Sequence, residues 1–92
     1  MKLTTQKYGE VTVRWQYNIL DEKQPEANFT KAFLEKDKEV ILEVSVKKHP
    51  KEKYNKELAR KFALTKLVKE GFSRSENLFD RKEVWNAYQH RQ

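Results

Sequence analysis

The chain contains no cysteine, which excludes disulfide staples, thiolate metal sites and a cysteine nucleophile. Glycine and proline are almost as scarce, with two of each in 92 residues. Gly9 and Gly71 stand alone, so no glycine-rich phosphate-binding loop is available. No apolar run approaches the roughly 18 residues that a bilayer span needs. The opening residues, MKLTTQKYGE, lack the apolar stretch of a secretory signal, so the expected location is cytoplasmic. Only two histidines occur. His49 abuts Pro50, His90 lies close to Gln92, and neither stands at metal-ligand spacing from other ligands. Ser45, Ser73 and Ser75 sit in no nucleophile elbow. The expectation is a protein with no metal, no cofactor and no catalytic constellation.

What is abundant is charge. Asp, Glu, Lys and Arg make up 37% of the residues, yet eleven aromatics and clear periodicities argue for a folded domain rather than a disordered one. The net charge of +6 is unevenly placed. Residues 1–46 hold seven Lys/Arg against eight Asp/Glu, residues 47–70 hold nine against three, and residues 71–92 hold four against three. The whole excess therefore falls on 47–70, and asymmetry of this kind points to a partner-facing surface.

Residues 10–19 alternate, with Val11, Val13, Trp15, Tyr17 and Ile19 on one side and Thr12, Arg14, Gln16 and Asn18 on the other. Period two with β-branched and aromatic residues predicts a half-buried strand. A short strand over 2–7 precedes it, with Tyr8-Gly9-Glu10 as the turn and Gly9 free to take a positive φ. The segment DEKQPEA at 21–27 reads as a polar loop. Residues 28–35 place Phe29 and Phe33 in phase, with Thr30, Ala32 and Leu34 opposite, and read as a strand. Residues 39–47 place Val40, Leu42, Val44 and Val46 on one face. Lys36-Asp37-Lys38 between these two runs predicts a hairpin.

His49-Pro50 ends the last strand, and a helix is predicted over 51–70, with Gly71 as its stop. Asp80 and Glu83 match a capping box, so a second helix is predicted over 81–91. Strands first and helices after them make an α+β domain: an antiparallel sheet of three to four strands followed by two helices packed on one face, all in a single unit over 1–92. At 100° per residue Tyr54, Leu58, Phe62, Thr65 and Val68 form one arc of the first helix and are expected to pack on the sheet. Val84, Trp85 and Tyr88 of the second helix are expected to cover Ala59, Ala63, Leu64 and Leu67.

Lys53, Lys56 and Arg60 recur at i, i+3 and i+7, and Lys47, Lys48 and Lys51 come just before them. Together these six residues predict a basic patch at the strand-to-helix junction. The alternative is a solvated helix face, because Lys and Arg are good helix formers and Glu52–Lys56 and Glu57–Lys61 are favourable i,i+4 pairs. Trp15 and Tyr17 read as core. Were their face exposed, they would form a stacking platform for single-stranded nucleic acid.

The run Lys53-Tyr54-Asn55-Lys56-Glu57-Leu58-Ala59-Arg60-Lys61-Phe62-Ala63-Leu64, with Trp85-Asn86-Ala87-Tyr88 some twenty residues later, resembles a pattern in small phage-encoded proteins of unknown function. There an Arg-Lys-x-Ala-Leu helix is followed by a closing Trp-x-x-Tyr helix. The resemblance covers the C-terminal half. It implies a phage or prophage origin and a place in the cytoplasm of a host cell, and it carries no assigned activity. Phage proteins of this size often occupy a surface on a host protein, defence nucleases included. Two readings follow. In the first, a non-enzymatic interaction protein, in one form a defence-system inhibitor, binds a host macromolecule through the basic helix face. In the second, the same cations bind DNA or RNA directly through phosphates.

Overall fold

The computed structural model describes residues 1–18, 29–47 and 56–91. The expected loop at 21–27, the strand end at His49-Pro50 and the helix start at Lys51 lie outside the described residues. Four strands, β1 (Lys2–Thr5), β2 (Gly9–Asn18), β3 (Phe29–Lys36) and β4 (Glu39–Lys47), are followed by two helices, α1 (Lys56–Gly71) and α2 (Leu78–Gln89). The strands form one antiparallel sheet in the order β1-β2-β3-β4. The expected α+β architecture is therefore the observed one. No helix among the described residues is long and apolar enough to cross a membrane.

The pleat decides which side chains enter the core. Val13 pairs with Leu34 and Trp15 with Ala32, while Leu34 and Ala32 pair with Leu42 and Val44 on the other side. These positions face the helices, and Arg14, Lys31, Phe33 and Glu43 alternate onto the open face. The hairpin between β3 and β4 closes through Asp37 and Lys38, both with positive φ (51° and 68°). This is the geometry a two-residue hairpin needs to match strand twist. One expectation fails in β4. The register slips between Leu34 and Glu35, so that Leu42 opposes Leu34 while Val40 opposes Glu35. Ile41 is the extra residue of a bulge, and Val40, expected in phase with Leu42, is exposed.

The face of α1 also differs from the expected arc. Ala63, Leu64, Leu67, Val68 and Gly71 are buried, whereas Leu58 and Phe62 are 41% and 48% exposed. The helix carries apolar residues on two sides, so periodicity alone does not choose between them. Small residues do: a Cβ on Gly71 would sit 3.0 Å from Leu42 Cδ2, which shows how closely the end of α1 lies on β4. Gly71 thus serves close approach rather than a left-handed cap. Val84 and Tyr88 of α2 join the same core, with Trp85 packed at its edge.

The capping-box expectation is corrected as well. α2 begins three residues before 81, with Asn77 at its N-cap, and Asn77 Oδ1 accepts from Ser73 N instead of capping the helix. Asp80 lies inside the first turn and is 1% exposed. Its two carboxylate oxygens accept from the backbone N–H groups of Gln6 (2.7 Å) and Lys7 (3.0 Å) in the β1–β2 turn. Lys7 Nζ and the Tyr8 hydroxyl of the same turn donate to the Gly71 carbonyl at 2.9 and 3.0 Å. A cation and a hydroxyl thereby satisfy a carbonyl at the C-terminus of α1. Gly9, with φ 75°, completes the turn.

Asp80→Ala is expected to lower stability by about 3 kcal/mol, because two backbone donors lose a charged acceptor in a buried place; urea unfolding of both proteins measures it. Lys38→Gly is expected to raise the urea midpoint, by about 1 kcal/mol in stability, because a left-handed φ is unfavourable for a residue with a Cβ.

Candidate functional site

Of the six residues expected to form the basic patch, Lys48, Lys51 and Lys53 lie outside the described residues. The other three do not form one surface. Lys47 opposes Phe29 in the register, one residue out of phase with the inward-facing Val46, and so belongs to the open face of the sheet. Lys56 and Arg60 lie on the helical side. The Lys56 ammonium stands 4.7 Å from the centre of the Tyr17 ring, a cation–π distance. Arg60 donates from Nε to the Tyr17 hydroxyl at 2.8 Å and pairs with Glu57 at 3.2 Å, and its guanidinium lies over Trp15. The Trp15 indole in turn donates to the Arg60 carbonyl at 3.2 Å. Trp15 and Tyr17 therefore face the start of α1 and are half-buried: Trp15 packs at the edge of the core as expected, Tyr17 lies outside it, and Arg60 is part of the seal that holds α1 to β2.

Glu57 is the hub of this end. Besides Arg60 it accepts from the Tyr88 hydroxyl at 2.7 Å and from Arg91 at 2.9 Å. Arg91 also stacks 3.7 Å from the centre of the Tyr88 ring. The Tyr88 hydroxyl, followed by the Arg91 and Arg60 guanidinium groups, holds the Glu57 carboxyl below the usual carboxylate range. Burial, then the bond to Glu57, pushes the Tyr88 phenol up. Glu57 thus pairs with Arg60 and Arg91, and the expected i,i+4 pairing with Lys61 is not among its partners. Of the two histidines, His90 lies beyond α2 and is exposed, its ring nitrogen bonded to the Asn86 carbonyl. Among the described residues no group of three or more His, Asp or Glu is gathered to hold a metal.

The ion pairs of the described residues are Arg14–Glu35, Lys31–Glu43, Arg60–Glu57 and Arg91–Glu57. The first two lie on the open face, where the cations also cover Phe33 and Phe29. None of the four includes Lys61, Lys69, Arg74, Arg81 or Lys82. The last four of these cations border an open trough of 1170 Å³ between α1 and α2. Its apolar lining comes from Val68, Phe72, Leu78 and Trp85, of which Leu78 is the exposed one, and no carboxylate lines it. Sequence reading missed this site. The four cations are spread over 69–82, three of them in the nearly neutral C-terminal segment, and only the antiparallel return of α2 along α1 brings them to one trough.

The depressed Glu57 carboxyl stabilises the fold above its ordinary value of about 4.5. That contribution is lost as pH falls through its lower folded value. Wild type is expected to exceed Glu57→Gln in urea midpoint near about pH 6, and the gap is expected to narrow as pH is lowered below the ordinary carboxylate value. No protein-family model, curated protein or solved structure matches this chain.

Proposed function

We propose that this chain is a small non-enzymatic interaction protein that binds an anionic macromolecule through cations of its helical layer. The observation that carries this reading is the distribution of ion pairs. Arg14 and Lys31 at the centre of the open face are neutralised by Glu35 and Glu43, while Lys61, Lys69, Arg81 and Lys82 on the helices and Arg74 in the turn between them have no carboxylate partner among the described residues. Unneutralised cations steer association and select an acidic counterpart. The resemblance to small phage-encoded proteins supports a host macromolecule as the partner, in the cytoplasm of the host cell. The mechanism is then stoichiometric occupancy of a surface, with inhibition of a defence protein as one form. Within the original six-residue patch, Lys56 fits this surface. Arg60 acts as a structural residue, and Lys47 faces the other side of the sheet.

Direct binding of DNA or RNA is the second reading, favoured by the same unpaired cations, which suit phosphates as well as carboxylates. Several phosphate contacts would lower affinity by about 10³-fold or more between roughly 50 and 200 mM salt.

Affinity capture from bacterial lysate, with and without nuclease, separates the two. A nuclease-resistant partner is expected. The combined variant Lys56→Glu, Lys69→Glu, Lys82→Glu is expected to reduce its capture at least about tenfold, the scale of a 1.4 kcal/mol loss, while Lys47→Glu leaves it nearly unchanged. Loss of the partner on nuclease treatment favours the second reading. Equal capture by wild type and the triple variant overturns the use of the helical layer.

A further inference from the structure

We infer that the trough between α1 and α2 is the docking site for an acidic amphipathic helix of a partner protein. The inference deepens the reading of the chain as an interaction protein and rests on it.

The trough has the shape of a place for a third helix. On α1 its wall is built by Thr65, Val68 and Lys69, with Phe72 just beyond, a spacing of i, i+3, i+4 and i+7 that forms one helical face. On α2, Leu78, Arg81, Lys82, Trp85, Asn86 and Gln89 repeat the same spacing over three turns. Two helix faces that converge on a common trough present ridges and grooves to a third helix. Leu78 and Gln89 are eleven positions apart, so the site accommodates about three turns, roughly 16 Å of helix.

The chemistry of the lining names the occupant. Leu78, 54% exposed, beside the half-buried Trp85 calls for apolar anchors. Lys69, Arg74, Arg81 and Lys82 around it call for carboxylates, and the lining contains no acid to compete with them. A second copy of this chain, at +6, would bring like charge to the trough. A nucleic-acid backbone would meet the cations and leave Leu78 and Trp85 without a counterpart. Arg81 adds an independent sign: its Nε is enclosed and has no hydrogen-bond acceptor among the described residues. A buried donor left unsatisfied is unfavourable, and a partner carboxylate that receives Nε–H and one terminal N–H together is the geometry a guanidinium fork favours. Arg81 turns outward to make that bond.

The test uses the full chain and a set of synthetic helical peptides of about 15 residues. Their Leu or Phe anchors fall at i, i+4, i+7 and i+11, and Glu occupies the flanking positions. A set with Lys in place of Glu and an oligothymidine of about 20 nucleotides serve as comparisons. Binding is followed by amide and indole N–H resonances. The expected result is that an acidic peptide shifts the Trp85 indole and the Thr65 and Asn86 amides and leaves Lys31 and Phe33 on the open face in place. Arg74→Glu with Lys82→Glu, both exposed positions, weakens that binding at least about tenfold with the rest of the spectrum unchanged. The inference is overturned if no acidic peptide binds more tightly than about 1 mM. It is equally overturned by shifts outside the trough, by a double variant that binds equally well, or by oligothymidine that outcompetes the peptides there. Capture of a lysate partner that survives Arg74→Glu with Lys82→Glu sinks the trough and leaves the broader reading standing; failure to capture any partner sinks the reading itself.

Discussion

The turn between β1 and β2 is held from outside by two backbone-directed contacts, and the placement of both helices depends on them. Asp80 of α2 receives the N–H groups of Gln6 and Lys7, and the Gly71 carbonyl at the end of α1 receives the Lys7 ammonium and the Tyr8 hydroxyl. A turn otherwise open to water thus joins the end of one helix to the beginning of the next. Phe72, packed edge-on against Tyr8, fills the space between them. Because both helices are referred to one turn, their mutual placement, and the trough between them, follows from the sheet rather than from extensive helix–helix packing.

The opposite end of the helical layer is closed by different means. Trp15, Tyr17, Arg60, Glu57, Tyr88 and Arg91 form a chain of hydrogen bonds and ring contacts from β2 through α1 to the end of α2. Here two arginines are used up by one glutamate. The electrostatic result is a division of labour within the helices. Arg60 in the first turns of α1 and Arg91 beyond α2 are bound into the structure, and the cations near the end of α1 and along α2 are left without acid. A basic segment is therefore not equivalent to a basic surface, since ion pairing removes part of it and a neighbouring element of modest charge supplies the rest.

The strands were legible because period two leaves one answer for which side is buried, and Val11, Val13, Leu34 and Val44 lie where alternation puts them. Val40 escaped because a bulge depends on how two strands meet, which one strand's pattern does not contain. The buried face of α1 escaped because Leu58 and Phe62 compete in period with Leu64 and Leu67, and the close approach at Gly71 settles the rotation. Asp80 was misread for a similar reason. A carboxylate three residues before a glutamate has the spacing of a cap, yet a donor pair 74 residues away in sequence claims it.

The sequence by itself determined the element types, their order, the turns at Gly9 and at Asp37-Lys38 and the α+β class, because these rest on local periodicity and turn chemistry. It also determined a net charge of +6 and the lack of thiol chemistry. Only the tertiary structure decided which cations share a surface. Lys47 and Arg60, thirteen positions apart, fall on opposite faces of the sheet because the pleat alternates side chains. Lys69 and Lys82, equally far apart, border one trough because α2 folds back along α1. The separation of charges in space is set by chain reversals, and a linear charge count does not record them.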